Sequence, residues 1–306
     1  LSPASRPDDM TDQRHRCGAP DAMGYAVPAR RVAGTGDAMP ETPDLEAIRG
    51  FFNARILGRT IVEARILIPV VARFPREEFA ALAGDQFAHI DRRGKFLLFR
   101  TASGRILVIN AMLTGRFQYV DSGEKRRAKT CAVITLDDGC DVRYADERLM
   151  GKLYLATEAT LAELPQFGEM GPDVLDPALT EDVFLARLRR HRGELKGILV
   201  NHRFVAGIGN AYADEVLWEA GLHPYRKRTA LSDEGARRLY EAMRAVMDWA
   251  IPILAEKAKD QLPYEEWRDH MRVHRKGGKP CPRCGTTISE VTAGQRITNF
   301  CRTCQS

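Results

Sequence analysis

The 306-residue sequence contains no apolar run of about eighteen residues, so it has no candidate transmembrane helix. It has no internal repeat, which argues against solenoid and propeller architectures. The chain has only a small excess of positive charge. Its net charge of +5 is compatible with a nucleic-acid partner but does not indicate one. With 44% hydrophobic and 28% charged residues, the composition predicts a globular protein with roughly two or three small cores.

The N-terminal segment lacks the marks of a targeting sequence. Residues 1–39 are rich in Pro, Gly, Ala, Asp and Arg and have no sustained apolar period, which predicts a disordered leader. They contain no apolar stretch of the signal-peptide kind, and their five Asp residues argue against a mitochondrial transit peptide. Because the sequence does not begin with Met, we expect translation to start at Met39 and the leader to be absent from the mature protein.

Cysteine usage argues against a secreted disulfide framework. The total of seven is odd, and four cysteines form two CxxC pairs, a pattern typical of metal binding. We therefore expect a cytoplasmic protein. The three remaining cysteines are expected to be an unstructured thiol, Cys17, and two sheet residues, Cys131 and Cys140.

Residue patterns divide the chain after the leader into two larger domains and a short tail. Residues 40–165 are predicted to form a β-rich domain with one helix over 44–56, capped by Asp44, and strands over 59–68, 95–99, 106–112, 132–136 and 141–144. A Gly/Pro/Asp-rich linker, 166–177, leads to a helical domain, 178–268. Its helices are predicted over 181–190, 195–200, 209–220 and 233–251, and Pro252 is expected to kink or end the last one. Residues 269–306 complete an α+β multidomain protein.

The two CxxC pairs give the most specific signal. Cys281 and Cys284 are separated from Cys301 and Cys304 by a segment that can form a hairpin with its turn at 293–294. Four thiolates suit tetrahedral Zn²⁺ and leave no open coordination position, so we expect one structural zinc rather than four unligated thiols. From His270 onward seven basic residues face a single acid, Glu290, which suggests an anionic partner.

Two further motifs are weaker when taken alone. In 205–215 (VAGIGNAYADE), two glycines precede a helix N-terminus whose free N–H groups could bind a phosphate, although a plain Gly-rich junction has the same appearance. In 39–44 (MPETPD), removal of Met39 would expose Pro40 as a secondary amine. An α-amine is substantially unprotonated near neutrality and can form a Schiff base with C1′ of a deoxyribose. Glu41 could then donate and accept the proton.

These elements, in this order and together with Arg92-Arg-Gly-Lys95-Phe96, resemble the Fpg/Nei (MutM-type formamidopyrimidine/endonuclease VIII) DNA glycosylases over residues 39–305. The resemblance implies an N-terminal β-sandwich, a helix–two-turn–helix module and a C-terminal zinc-ribbon hairpin, with damaged double-stranded DNA in the cleft between the lobes. It implies a monomeric bifunctional DNA glycosylase and AP lyase of base-excision repair, which acts through a Schiff base and β/δ-elimination.

Specific residues acquire roles through the same resemblance. Pro40 would be the nucleophile and Glu41 the proton donor, while Lys95 would contact a phosphate near the lesion. Asn210 and Arg296 would bind the DNA backbone on either side. Lys196, which matches a lysine of the helical module, would be a further DNA-binding residue.

Since the amine cannot reach C1′ of a stacked nucleotide, the base must be flipped out and the gap filled. The corresponding residues are Leu113 in 110–115 (NAMLTG), and Arg148 and Met150 in 146–151 (DERLMG). Asn110 stands where the family has His, and Leu149 where it has Arg. The segment 255–267 lacks the glycine-rich stretch that covers 8-oxoguanine in the Fpg branch, which favours oxidised pyrimidines and ring-opened purines.

Two functions other than a DNA glycosylase and AP lyase are compatible with part of the sequence. A catalytically silent protein that binds damaged DNA would keep the helical module and the hairpin, and it would fit a chain in which Pro40 is internal and its nitrogen an amide. A ribosome- or transcription-associated zinc-ribbon protein would explain neither the Pro-Glu start nor Lys95.

Overall fold

The structure, a computed structural model, describes Cys17 and residues 39–262, 267–293 and 296–306. The predicted leader therefore lies outside the described residues except for Cys17 and Met39. That cysteine forms a disulfide with Cys140, with their Cα atoms 6.0 Å apart, so the expectation of an unpaired Cys17 is wrong. Cys131 is a free thiol buried in a strand, as expected.

The first element is helix α1 (Thr42–Asn53), whose apolar stripe, with Leu45 and Phe52, is buried in the β-rich domain. Its presence confirms the helix predicted from that stripe, but it begins earlier than predicted, with Glu41 rather than Asp44 at the N-cap. Asp44 lies in the first turn, where its carboxylate accepts the N–H of Glu41 at 2.9 Å. This turn fixes the backbone at the start of the helix.

Two four-stranded antiparallel sheets form a β-sandwich. The first sheet has the order β1 (Ile61–Ile66), β6 (Thr130–Leu136), β7 (Cys140–Asp146), β5 (Gly115–Asp121), and the second has the order β2 (Phe87–Arg93), β3 (Phe96–Thr101), β4 (Ile106–Asn110), β8 (Lys152–Ala156). Between them lies an aromatic core that includes Phe52, Phe87, Phe99 and Phe117. The predicted sandwich is confirmed, with a second short helix, α2 (Arg76–Ala80), in addition to the one expected.

The second sheet is covered on both faces. Because successive side chains of a strand point to opposite faces, β3 packs Leu97 and Phe99 into the sandwich and Phe96 and Leu98 against the linker. The ring of Phe167, in the linker, lies edge-on to Phe96 at 5.5 Å between centroids. The sandwich and the helical domain are therefore joined by packed apolar surface.

The helical domain consists of α3 (Glu181–Leu188), α4 (Leu195–Leu199), α5 (Asn210–Glu219) and α6 (Asp233–Lys257), as the sequence predicts. The helix α6 continues past Pro252 to Lys257, so the expectation that this proline ends the helix is wrong. Leu254, two residues beyond the proline, is fully buried against Ala47 of α1. This packing offsets the hydrogen bond that proline cannot donate.

The chain ends in a hairpin of β9 (Ser289–Ala293) and β10 (Arg296–Phe300), close to the predicted one. It packs on α5 through Trp218, which shares a small core with Val273 and Ile288. In the part of the chain that the structure describes, none of the helices has the length and apolar character needed to span a membrane.

Candidate functional site

A cavity of about 480 Å³ lies where the sandwich, the helical domain and the hairpin meet. Each region contributes polar or charged side chains to its wall: Glu41, Lys95, His202, Asn210, Arg275 and Arg296. The cavity thus brings together five residues that were assigned to chemistry or DNA contacts from the sequence: Glu41, Lys95, Leu113, Asn210 and Arg296.

Glu41 is held at the N-terminus of α5. Its carboxylate accepts the backbone N–H groups of Gly209 at 2.6 Å, Ala211 at 2.8 Å and Tyr212 at 3.1 Å. The first N–H groups of a helix have no partner within the helix and carry its positive dipole end, so a carboxylate is stabilised there. The expectation that these N–H groups bind a phosphate is therefore wrong at Gly209, Ala211 and Tyr212, since Glu41 occupies them.

The two glycines of the 205–215 motif make this approach possible. A Cβ on Gly209 would lie 2.5 Å from the carboxyl carbon of Glu41 and 2.5 Å from the amine of Lys95. A Cβ on Gly207, whose φ is +106°, would lie 2.0 Å from the Thr42 hydroxyl. Thr42 also donates its N–H to the Gly207 carbonyl at 3.1 Å. Glycine is required here for close contact between the start of α1 and this loop.

Pro40 is buried directly before this turn. It lines a small cavity with Asp44 and Arg116, whereas Met39 lines the large one. With Met39 attached, the nitrogen of Pro40 is an amide. Removal of Met39 would leave a secondary amine next to the large cavity and to Glu41.

Lys95 follows Gly94, whose φ of +57° turns the chain between β2 and β3. Burial of the amine lowers the pKa of Lys95, while the negative charges of Glu41 and Asp44 act in the opposite direction. Within the described residues, no carboxylate forms an ion pair with this amine. Lys95 therefore presents a cationic group to the cavity without a protein counter-ion in direct contact.

The turn that carries Lys95 is fixed by a buried ion-pair network that was not predicted from the sequence. The guanidinium of Arg92 binds both oxygens of Asp173 at 2.6 Å and Glu46 at 2.7 Å. Asp173 also accepts the N–H of Gly94 at 2.7 Å. An aspartate inside a Gly/Pro-rich linker is the only sequence signal that could have indicated this contact between α1, the β2–β3 turn and the linker.

A second unpredicted ion pair lies beneath Glu41. Arg268 binds Asp44 through two hydrogen bonds, at 2.6 and 3.0 Å, and both side chains are buried. The pKa of Arg268 is raised: burial lowers it, but the carboxylates of Asp44 and Glu41 outweigh that effect. The pair links the start of α1 to the segment that precedes the hairpin.

Asn210 and Lys196 tie the helical domain to β10. The Asn210 amide donates to the Ile297 carbonyl at 2.8 Å. Lys196 is buried, and its amine contacts the same carbonyl and the Thr298 hydroxyl at 2.9 Å and Asp214 at 2.6 Å. The three N–H donors of the Lys196 amine are thus used within the protein, whereas the family resemblance predicts that Lys196 binds DNA.

The two loops expected to fill the DNA gap lie side by side. Asp146 is fully buried and accepts the Thr114 hydroxyl from the first loop and the Gly151 N–H, at 2.6 Å, from the second. Leu113 lines the cavity, and Met150 has 38% of its surface exposed. Arg148 donates its backbone N–H to Asp146 at 3.2 Å. Asp146 therefore fixes the position of both loops, a role that its place at a strand end did not reveal.

The four cysteines of the CxxC pairs converge as predicted. The sulfurs of Cys281, Cys284, Cys301 and Cys304 all lie within 4.8 Å of one another, with 3.9 Å between Cys281 and Cys304 and 3.5 Å between Cys284 and Cys301. Tetrahedral zinc with bonds of about 2.3 Å places its sulfurs about 3.8 Å apart. The donor set and its spacing thus fit a zinc ion, and the indole N–H of Trp218 donates to Cys281 at 3.4 Å.

Comparison with known proteins accounts for nearly all of the chain after the leader. Family models match the formamidopyrimidine-DNA glycosylase N-terminal domain over residues 39–153, the H2TH domain of the same enzyme over 170–261, and a zinc finger found in FPG and IleRS over 278–306. The chain belongs to the formamidopyrimidine-DNA glycosylase (Fpg/MutM) family.

Full-length relatives and solved structures agree. A formamidopyrimidine-DNA glycosylase from Heliobacterium modesticaldum is 36% identical, over 87% of this chain and 100% of the relative. One from Pelotomaculum thermopropionicum is 32% identical, over 87% and 99%. A Lactococcus lactis Fpg in complex with DNA containing an abasic site superposes with a TM-score of 0.80 at 25% identity, over 87% of this chain and 99% of that one. The same enzyme with DNA containing N7-benzyl-Fapy-dG gives 0.81 at 26%, over 87% and 100%.

In this Fpg-family chain the cavity lies at the junction of the three matched domains. Glu41 and Lys95 belong to the N-terminal domain, Asn210 to the H2TH domain and Arg296 to the zinc finger. A site assembled in this way depends on the packing between domains as much as on its own residues.

Proposed function

We propose that the protein is a bifunctional DNA glycosylase and AP lyase that excises oxidised bases from double-stranded DNA in base-excision repair. The observation that carries the proposal is the position of Glu41, fixed by three N–H groups beside Pro40 and facing Lys95 across a cavity between domains. Family membership supports the same reaction, because relatives are named formamidopyrimidine-DNA glycosylase and solved relatives hold damaged DNA.

The chemistry begins with the free amine of Pro40 once Met39 is removed. The proline nitrogen attacks C1′ of the flipped nucleotide, the C1′–N bond to the base breaks, and the base leaves with a proton. Glu41, one residue away, transfers protons to and from the sugar. The C1′–O4′ bond then breaks as O4′ takes up a proton, which opens the sugar ring and gives the Schiff base. The Schiff base makes the C2′ proton acidic, so β-elimination removes this proton and breaks the 3′ C–O bond. Loss of the C4′ proton allows δ-elimination to break the 5′ C–O bond, and each phosphate leaves with its oxygen. Water then hydrolyses the imine and returns the amine.

DNA contacts are assigned to the cationic wall of the cavity. Lys95, Asn210 and Arg296 would bind phosphates, which positions any sequence equally well. Leu113, Arg148 and Met150 would fill the gap left by the flipped nucleotide. Lys196 would act indirectly, by holding β10 and therefore Arg296 in place. One structural zinc bound by Cys281, Cys284, Cys301 and Cys304 would hold the hairpin, and we expect the enzyme to act as a monomer.

A second function is favoured by one specific feature. In the full sequence Pro40 follows Met39, so its nitrogen is part of a peptide bond. An amide nitrogen cannot act as a nucleophile. If that bond persists, the protein would bind damaged DNA without cleaving it.

Borohydride trapping distinguishes the two functions. A protein that begins at Pro40 should form a covalent adduct with abasic DNA, and peptide mapping should locate the adduct at Pro40. The same protein with Pro40→Gly should give less adduct, and a protein that retains residues 1–39 should give none at residue 40. An adduct at Pro40 in a protein whose leader is intact by mass would refute the N-terminal amine mechanism. Failure of the Pro40-initiated protein to form an adduct would favour the silent DNA-binding protein.

A further inference from the structure

Left-handed backbone at non-glycine residues is concentrated at this site. In the described part of the chain, the non-glycine residues with positive φ are Met112 (51°), Leu149 (55°), Gln166 (68°) and Arg275 (59°). Three of them line the cavity, and Leu149 lies between Arg148 and Met150. This conformation costs free energy in any residue with a Cβ, and where it persists it marks functional sites more often than other positions.

Arg275 is the charged member of this group, and its backbone is held on both sides. Its N–H donates to the side-chain oxygen of Asn299 at 2.8 Å. The preceding residue, His274, donates its N–H to Glu215 and places its ring against Asp214, both at 2.9 Å or less. The strained conformation is therefore imposed by buried contacts of α5 and β10, and it places the half-buried Arg275 on the cavity wall.

The charge of the cavity wall favours an anion at this position. Lys95, Arg275 and Arg296 line the cavity, and the one carboxylate among the lining residues, Glu41, is bound to the N–H groups of α5. No sequence motif singled out Arg275. A guanidinium at this wall suits a phosphodiester, because its fork of N–H donors matches two phosphate oxygens.

We propose that Arg275 is an additional DNA-binding residue of this protein, which contacts a backbone phosphate of the damaged duplex. The left-handed conformation is retained because it holds the guanidinium at the cavity wall. The inference rests on the proposed function, since it requires that DNA enters this cavity.

The test measures affinity for a duplex with a tetrahydrofuran abasic analogue, which cannot form a Schiff base, over a range of salt concentrations. The protein begins at Pro40. Arg275→Gly should bind about tenfold more weakly at low salt and reduce the salt slope by about one unit, since one phosphate contact is lost. Arg275→Lys should keep the slope. Arg275→Gly should leave the local backbone conformation intact, because glycine adopts a φ of 59° without strain.

Two variants serve as controls. Gln166→Gly relieves a left-handed residue of the same cavity without removing charge, and Arg302→Ala removes an exposed charge of the hairpin away from the cavity. Both should leave the salt slope unchanged. If Arg275→Gly keeps the wild-type salt slope, the inference is wrong. It is also wrong if Arg275→Gly loses affinity only for the duplex with the lesion while its salt slope stays unchanged. If the wild type itself fails to bind the duplex, the proposed function fails instead.

Discussion

At the scale of single residues, Glu41 and Lys95 are neighbours with different surroundings. Glu41 is bound by three backbone N–H groups, which fix its carboxylate. The Lys95 amine has no ion-pair partner among the described residues, and burial lowers its pKa. A carboxylate held in this way suits proton transfer at a fixed position, whereas an amine without a counter-ion suits an incoming phosphate.

We expect Lys95→Ala to weaken binding to all duplex sequences and to reduce the salt slope by about one unit, because the contact is assigned to phosphate. Lys95→Arg should restore the slope.

Since the pKa of Lys95 is lowered from the ordinary 10.5, the amine loses its proton at a lower pH than an ordinary lysine. Wild-type affinity should therefore fall as the pH rises through that lowered pKa, and Lys95→Arg should not show this fall. Titration of binding to an abasic analogue from pH 7 to 10 measures both, and an unchanged slope in Lys95→Ala would remove Lys95 from the phosphate site.

At the scale of elements, the N-terminus of α5 is the part of the helical domain that meets the chemistry. We predict that Gly209→Ala lowers the rate of base excision at least tenfold, because the added Cβ would lie 2.5 Å from both the Glu41 carboxyl carbon and the Lys95 amine. Single-turnover kinetics on an oxidised base measure this.

A matched control exists in α4. Gly197 is exposed in that helix and a Cβ there meets nothing within 4 Å. Gly197→Ala should raise stability by about 0.5–1 kcal/mol and leave the rate unchanged, since alanine favours helix. If Gly209→Ala were as active as Gly197→Ala, close approach at this loop would not matter for catalysis.

We expect the hairpin to depend on its metal site, because β9 and β10 have only a small core with Trp218, Val273 and Ile288. Purified protein should contain one zinc per chain by elemental analysis. Cys281→Ser and Cys304→Ser should lose zinc and DNA affinity together, through collapse of the hairpin that carries Arg296. A metal-free protein with full affinity would contradict this prediction.

At the scale of the whole molecule, the domains are held together by buried ion pairs as well as apolar packing. Asp173→Asn should destabilise the protein by about 3–5 kcal/mol, because it leaves the buried Arg92 short of a counter-ion. Urea unfolding measures the change in free energy. Asp233→Asn removes an exposed carboxylate 3.8 Å from Arg189 and should cost under about 1 kcal/mol. Equal effects of the two substitutions would show that the Arg92 network does not hold the domains.

We expect lesion range to depend on the whole molecule, through both the cavity and the segment over 255–267. That segment lacks a glycine-rich stretch, and residues 263–266 lie outside the described residues. We predict cleavage at abasic sites and oxidised pyrimidines at least as fast as at 8-oxoguanine, with ring-opened purines also accepted. Competition between matched duplexes measures this, and a strong preference for 8-oxoguanine opposite cytosine would overturn it.

Local patterns in the sequence were enough to predict α1, α3 to α6, the hairpin and the four-cysteine site. The stripe of α1, the runs of α3 to α6 and the CxxC spacing each depend on residues close in sequence, so local periodicity and spacing carry them. The strands β2, β5 and β8 were missed. In β2, for example, only Phe87 and Ile90 are buried, and their three-residue spacing, with a register shift between Phe87 and His89, breaks the period of two.

Short motifs are sufficient to indicate the family, the domain types and most of the residues that line the cavity. The folded chain was needed to show that the N–H groups of α5 bind Glu41 rather than a phosphate, and that the amine of Lys196 is turned inward. It also revealed Arg92 with Asp173 and placed Arg275 on the cavity wall. These contacts join residues tens to hundreds of positions apart, so their energies depend on packing and burial that no local pattern records.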